Sequence, residues 1–184
     1  MTRWPTGLLL GIAIVGPATA EVKSVTATGF ETISIATIAA PPDRVYAALG
    51  EISRWWDPSH TFSKDAANLS IELRSGGCFC ERLKDGGSVQ HMQVVHAAPS
   101  VGLRLRGALG PLQMEGVDGT LAWTLKAADG GGTTVTQSYV VGGYIRGGME
   151  IWAPRVDRVL DEALQRLKNF TGRDDSAMSA RRFP

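Results

Sequence analysis

Residues 150–170 read EIWAPRVDRVLDEALQRLKNF, and the fold turns on how this stretch is seated. Trp152, Val156, Val159, Leu160, Ala163, Leu164, Leu167 and Phe170 recur at helical spacing and make one apolar stripe. Asp157, Arg158, Asp161, Glu162, Arg166 and Lys168 take the opposite face. A helix of this kind needs a second layer to cover its stripe. The residues before it supply one. The runs 68–73, 78–83, 89–97, 101–109, 117–126 and 133–141 read as strands, separated by turn signals such as Asp85-Gly86, Ala98-Pro99 and Asp129-Gly130. Further upstream, FETISIATIAA (30–40) alternates as a strand does. Pro41-Pro42-Asp43 stops it and opens a helix, with Pro42 suited to the first turn and Asp43 to its positive end. Gly50 divides the apolar-periodic region up to Trp56 into two short helices. The expectation is an α+β helix-grip fold: a curved seven-stranded antiparallel sheet around a long C-terminal helix, with two short helices after the first strand. One helix over a bent sheet does not fill the space beneath it, so a cavity is expected.

The chain has 184 residues, 43% of them hydrophobic and 20% charged, which fits one domain with a real core. A formal net charge of +1 gives no basic footprint for nucleic acid or an anionic membrane surface. The N-terminus differs from the rest. Arg3, the uncharged run LLLGIAIVG (8–16) and Ala18-Thr19-Ala20 have the form of a cleaved signal peptide, with the cut after Ala20. The run is too short to span a bilayer, which takes about 20 residues, so stable membrane insertion is not expected after cleavage. Cleavage removes one of the 19 basic residues, Arg3, and leaves a neutral chain with 18 acidic residues. The expected location is periplasmic or secreted. The expected organisation is a signal peptide over 1–20, a loose segment over 21–29, the folded domain over 30–171 and a disordered polar tail over 172–184.

The order of elements, with APPDRVYAAL after the first strand, RWWDP closing the second helix, GGCFCERL, the Pro-punctuated HAAPSVGLRLRG and a long closing helix, resembles the START/Bet v 1-like (SRPBCC) superfamily. Within it the chain is similar to the branch of polyketide cyclase-like proteins and the Hsp90-ATPase-activator homology domain. The resemblance covers residues 30 to 170 and implies a helix-grip fold around a cavity for lipids, sterols, polyketides or other apolar molecules. It carries no universal catalytic motif. The Hsp90-activating role is cytosolic and conflicts with a signal peptide.

The stretch GGCFCERL (76–83) holds the chain's 2 cysteines. On a strand, Cys78, Cys80 and Arg82 share one face, and Phe79, Glu81 and Leu83 the other. Taking Asp85-Gly86 as a two-residue hairpin tip, Arg82 faces Val89, Glu81 faces Gln90, Cys80 faces His91 and Phe79 faces Met92. The bulky pair Phe79 and Met92 assigns that face to the cavity. Glu81 and Gln90 then lie on the cavity side near its rim, and the cysteines and His91 lie outside. Three readings of the cysteines stay open: a disulfide that needs a bulge, a zinc or copper site with His91, and two free thiols without a role. Of Trp55 and Trp56, one plugs the core and the other, Trp56, sits at the pocket mouth. His60 reads as a surface or capping residue. Arg104 and Arg106 alternate with Leu103 and Leu105 and face solvent. Glycines 142, 143, 147 and 148 read as a flexible hinge at the cavity entrance, not a phosphate loop.

The expected ligand-binding set is Trp56, Phe79, Glu81, Gln90, Met92, Met114, Trp123, Tyr139, Tyr144 and Trp152. The leading functional reading is an exported carrier of a small apolar or amphipathic molecule, monomeric or homodimeric, using no cofactor. The alternatives are a cyclase, dehydrase or hydrolase using Glu81, with Tyr139, as acid/base, and a metal-binding or redox protein using Cys78, Cys80 and His91.

Overall fold

A computed structural model describes residues 19–180, with side chains described over 21–172. The proposed leader up to residue 18 and the last four residues of the tail, 181–184, lie outside the described residues. Strands β1 (Thr19–Thr26) and β2 (Gly29–Ile38) are followed by helix α1 (Pro42–Gly50). Three single 3-10 turns come next, then β3 (Leu69–Ile71), β4 (Cys78–Arg82), β5 (Ser88–Ala98), β6 (Gly102–Arg106), β7 (Gly116–Ala127), β8 (Thr133–Tyr144) and α2 (Met149–Ala180). The strands form one antiparallel sheet in the order β1-β2-β8-β7-β6-β5-β4-β3.

The architecture is helix-grip, with three departures from the sequence expectation. The sheet has 8 strands, because residues 21–29, expected to be loose, hold most of β1 at the sheet edge. Thr19 and Ala20 open that strand opposite Ile35 and Ser34. After α1 the chain makes 3-10 turns instead of a second α-helix. The tail expected to be disordered from 172 continues α2 as far as Ala180.

The core forms where the stripe of α2 meets the inward residues of the sheet. Leu160, Leu164 and Leu167 are fully buried, as are Ile38, Leu121 and Val135. Gln137 ties the layers together: it accepts from Trp123 Nε1 at 2.8 Å and donates to the Leu160 carbonyl at 2.7 Å. Both groups would otherwise be costly buried polar atoms. Gly119 is required by packing, since a Cβ there would lie 2.6 Å from the Tyr139 ring. The main contacts of α2 are with β2, β1 and α1. The other end of the sheet, where β4 and β5 lie, is covered by the 57–64 segment and the turn at Gly110–Met114. Two side-chain contacts brace that segment against the helix: His60 Nε2 lies 3.3 Å from a Glu162 carboxylate oxygen, and Asp57 forms an ion pair with Arg166. Among the described residues, no helix is long and apolar enough to cross a membrane.

Candidate functional site

A cavity of about 550 Å³ lies between α2, the 57–64 segment, β4–β5 and the 109–112 turn. Its wall is mostly apolar. Trp56, Leu69, Phe79 and Leu112 line it from below, and Trp152, Val156, Val159 and Leu160 from the helix. Ser59, His60, Lys64 and Arg155 bring polar groups to it.

One polar group is set deep in that wall, and a strand irregularity puts it there. The tip of the β4–β5 hairpin holds three residues, not two: Leu83 N–H donates to the Gly87 carbonyl at 2.8 Å across Lys84-Asp85-Gly86. Asp85 takes the left-handed conformation, φ 56°. The extra residue shifts the register by one, so Arg82 faces Ser88, Glu81 faces Val89 and Cys80 faces Gln90. A β-bulge at His91 restores the shift, and Phe79 faces Met92 as expected. The bulge reverses the assignment of two side chains. Gln90, expected on the cavity side, is exposed, and its carbonyl accepts from Gln113. His91, expected outside, turns inward and is 4% exposed.

His91 there meets Glu81, itself 1% exposed, with Nε2 and Oε2 2.9 Å apart. Two backbone groups of the neighbouring loop complete the carboxylate. Phe62 N–H donates to Oε2 at 3.1 Å and Ser63 N–H to Oε1 at 2.5 Å. Burial pushes the Glu81 carboxyl up, but these hydrogen bonds and that from His91 outweigh it and hold the group below the usual carboxylate range. Burial pushes the His91 imidazole down, and the Glu81 charge opposes this only in part. The pair at neutral pH is therefore a carboxylate and a neutral imidazole. An ionised Glu81 accepts only, so Nε2 carries the ring proton and Nδ1 the lone pair. Phe79 and Phe62 hold the ring, with centroids at 4.9 Å and 5.9 Å.

The expected ligand-binding set divides into three. Trp56, Phe79 and Trp152 line the cavity, and Glu81 stands one hydrogen bond behind it through His91. Met92, Trp123 and Tyr139 are fully buried but lie in the core. Gln90, Met114 and Tyr144 face solvent. Tyr139 is not free to serve as an acid: its hydroxyl donates to the Gly107 carbonyl and accepts from Leu109 N–H, each at 3.0 Å, and burial pushes its pKa up. It pins the 107–109 segment that leads into the cavity wall. Both tryptophans are buried, Trp55 away from the cavity and Trp56 in its wall. The chain leaves the helix at this point, and each indole N–H finds a carbonyl, Trp55 on Ala48 and Trp56 on His60. Arg104 and Arg106 are exposed. Gly142 and Gly143 are no free hinge but pair within β8 to Asp118 and Val117.

Cys78 and Cys80 are joined as a disulfide with Cα atoms 5.4 Å apart, inside the range such a bridge needs. With the sulfurs bonded to each other and His91 on the opposite face, the three do not converge as metal ligands. No group of three or more metal-ligating side chains occurs among the described residues.

A helix-grip sheet holding a largely apolar cavity beside its closing helix defines a class of small-molecule-binding domain. The comparisons specify it further: residues 23–169 match the family described as polyketide cyclase / dehydrase and lipid transport, and the chain belongs to that family, within the SRPBCC superfamily. Solved structures share the fold. CalU16 from Micromonospora echinospora aligns at TM-score 0.56 and 17% identity over 84% of each chain. A conserved protein of unknown function from Enterococcus faecalis, EF2215, aligns at TM-score 0.55 and 16% identity over 82% of this chain and 74% of its own. DynU16, of the dynemicin biosynthetic locus, aligns at 0.52 and 19% over 76% of this chain and 46% of its own. No curated protein matches the chain in sequence.

Proposed function

We propose that this protein is an exported carrier that holds one small apolar or amphipathic molecule in the cavity beneath α2. The observation that carries this is the hollow itself: about 550 Å³ walled mainly by Trp56, Phe79, Leu112, Trp152, Val159 and Leu160. Removing apolar area from water supplies affinity at about 25 cal/mol per Å², while a few polar groups orient the guest. The family's description, which includes lipid transport, agrees with this reading. Export is supported by the leader-like N-terminus and by the Cys78–Cys80 disulfide, a bond suited to an oxidising compartment.

Two experiments test it. Titration with a fluorescent fatty-acid probe, followed by energy transfer from Trp56 and Trp152, should show saturable 1:1 binding. Val159→Trp, which fills the hollow, should abolish it without lowering the melting temperature by more than a few degrees. Probe uptake unchanged by that substitution would place binding elsewhere. For export, the protein recovered from the periplasm should begin at Glu21, and its thiols should resist alkylation until reduced. An intact leader or two freely reactive thiols would contradict the location.

A second reading, acid–base chemistry on the bound molecule, is favoured by one observation: the buried carboxylate–imidazole pair in the wall. The acid/base group in contact with the guest is then His91, not Glu81. Both carboxylate oxygens of Glu81 are already engaged by Ser63, Phe62 and His91.

A further inference from the structure

Nδ1 of His91 is buried and has no hydrogen-bond partner in the protein. Such an atom costs stability unless something else satisfies it. Its ring lines the cavity, is 4% exposed, and cannot swing away, since Nε2 is tied to Glu81 and its faces are flanked by Phe62 and Phe79. Glu81 is in turn fixed by two backbone N–H groups. Everything around Nδ1 is thus built to hold one acceptor still in an otherwise greasy wall.

We infer that the cavity selects ligands bearing a hydroxyl that donates a hydrogen bond to His91 Nδ1. A carbonyl or ether oxygen would bring lone pair against lone pair and is disfavoured. The ligand keeps its proton. Glu81 is a positioning residue that fixes the ring and its tautomer, and His91 is the one that touches the ligand. This rests on the cavity being a ligand site, and the test separates the two ideas.

The probes are 4-nitrophenol and its methyl ether 4-nitroanisole, of nearly one shape, differing in the donor. Binding is read from quenching of tryptophan fluorescence, at a pH below the free phenol's midpoint. The wild-type protein should bind the phenol about tenfold more tightly than the ether, the worth of one hydrogen bond in a dry site. His91→Phe should bind the ether as before and lose the preference. Glu81→Gln, which no longer fixes the tautomer, should bind the ether as before and weaken the preference. Equal affinity of the wild type for the two probes, or a preference that survives His91→Phe, overturns the inference and leaves the cavity standing. Failure of the wild type to bind either probe removes the cavity as a ligand site, and this inference with it.

Discussion

Glu81 carries three hydrogen bonds in a place where an unpaired charge could not persist, and it anchors the Phe62–Ser63 end of the loop whose other end Asp57 and His60 brace to α2. Phe62, whose backbone it fixes, is 47% exposed. Replacing Glu81 by Gln keeps the shape but puts a donor where an N–H already points. Hydrogen bonds to a charged group are worth about 1.5–3 kcal/mol each, and part of that survives with a neutral acceptor. The expected loss in chemical denaturation is about 2–3 kcal/mol. A loss under half a kcal/mol would mean that the loop is held by other contacts. The pair also sets a pH dependence. The folded protein holds His91 below its usual 6.5, so protons bind the unfolded chain more readily. The stability this contributes is fully present above 6.5 and is lost as pH falls through the lowered value. Glu81, held below its usual 4.5, adds a further loss in stronger acid. The melting temperature should fall between pH 7 and pH 5, a fall that His91→Phe should largely remove. Parallel curves for the two proteins would refute this.

At the scale of elements, most of the fold is legible because alternation and helical spacing are strong where a face is buried. The strands β2 to β8, Pro42 at the start of α1 and the stripe of α2 all follow from residues that must meet a core. β1 escapes because its residues 21–26 are nearly all exposed on both faces, so no period of two is written in them. Its lysine, Lys23, suits an exposed edge instead. The site is legible in part. Phe79 falls in the cavity wall opposite Met92, as alternation implies, but Glu81 lies behind that wall and His91 takes the place in it. A bulge leaves no mark in an alternating strand beyond a polar residue, Gln90, at a position that ought to face inward. The one-residue slip traces to Asp85, which adopts the left-handed conformation and lengthens a tip that Asp-Gly suggested was tight. The loop that supplies Phe62 and Ser63 had no periodicity to read. Two elements frame the mouth, and the exposed charges they bring to it, Lys64 and Arg155, are both basic. An anionic amphiphile should therefore lose affinity in the double variant Lys64→Glu, Arg155→Glu, by about tenfold at low salt and less at high salt. A neutral analogue should be unaffected. An equal loss for both would mean that the substitutions disturb the wall and not the field.

For the whole molecule, the position of α2 decides whether there is anything to bind. It packs on the β1–β2 end of the sheet, while Phe79 and His91 project from the β4–β5 end, and the space between is bridged by the loop that Asp57 and His60 brace to the helix. A chain with this order of elements but bulkier residues at Val156 and Val159 would close the gap and keep the fold. The fold, the family and the cavity thus follow from the same seating of one helix, whereas the identity of the guest is set by a handful of side chains that face it. Native mass spectrometry of the protein purified gently from its own compartment tests this most directly. The wild type should carry a single non-covalent organic adduct, displaced by a fatty-acid probe, and Val159→Trp should be found empty. Each protein found only at its own bare mass, with no probe retained by either, would contradict it.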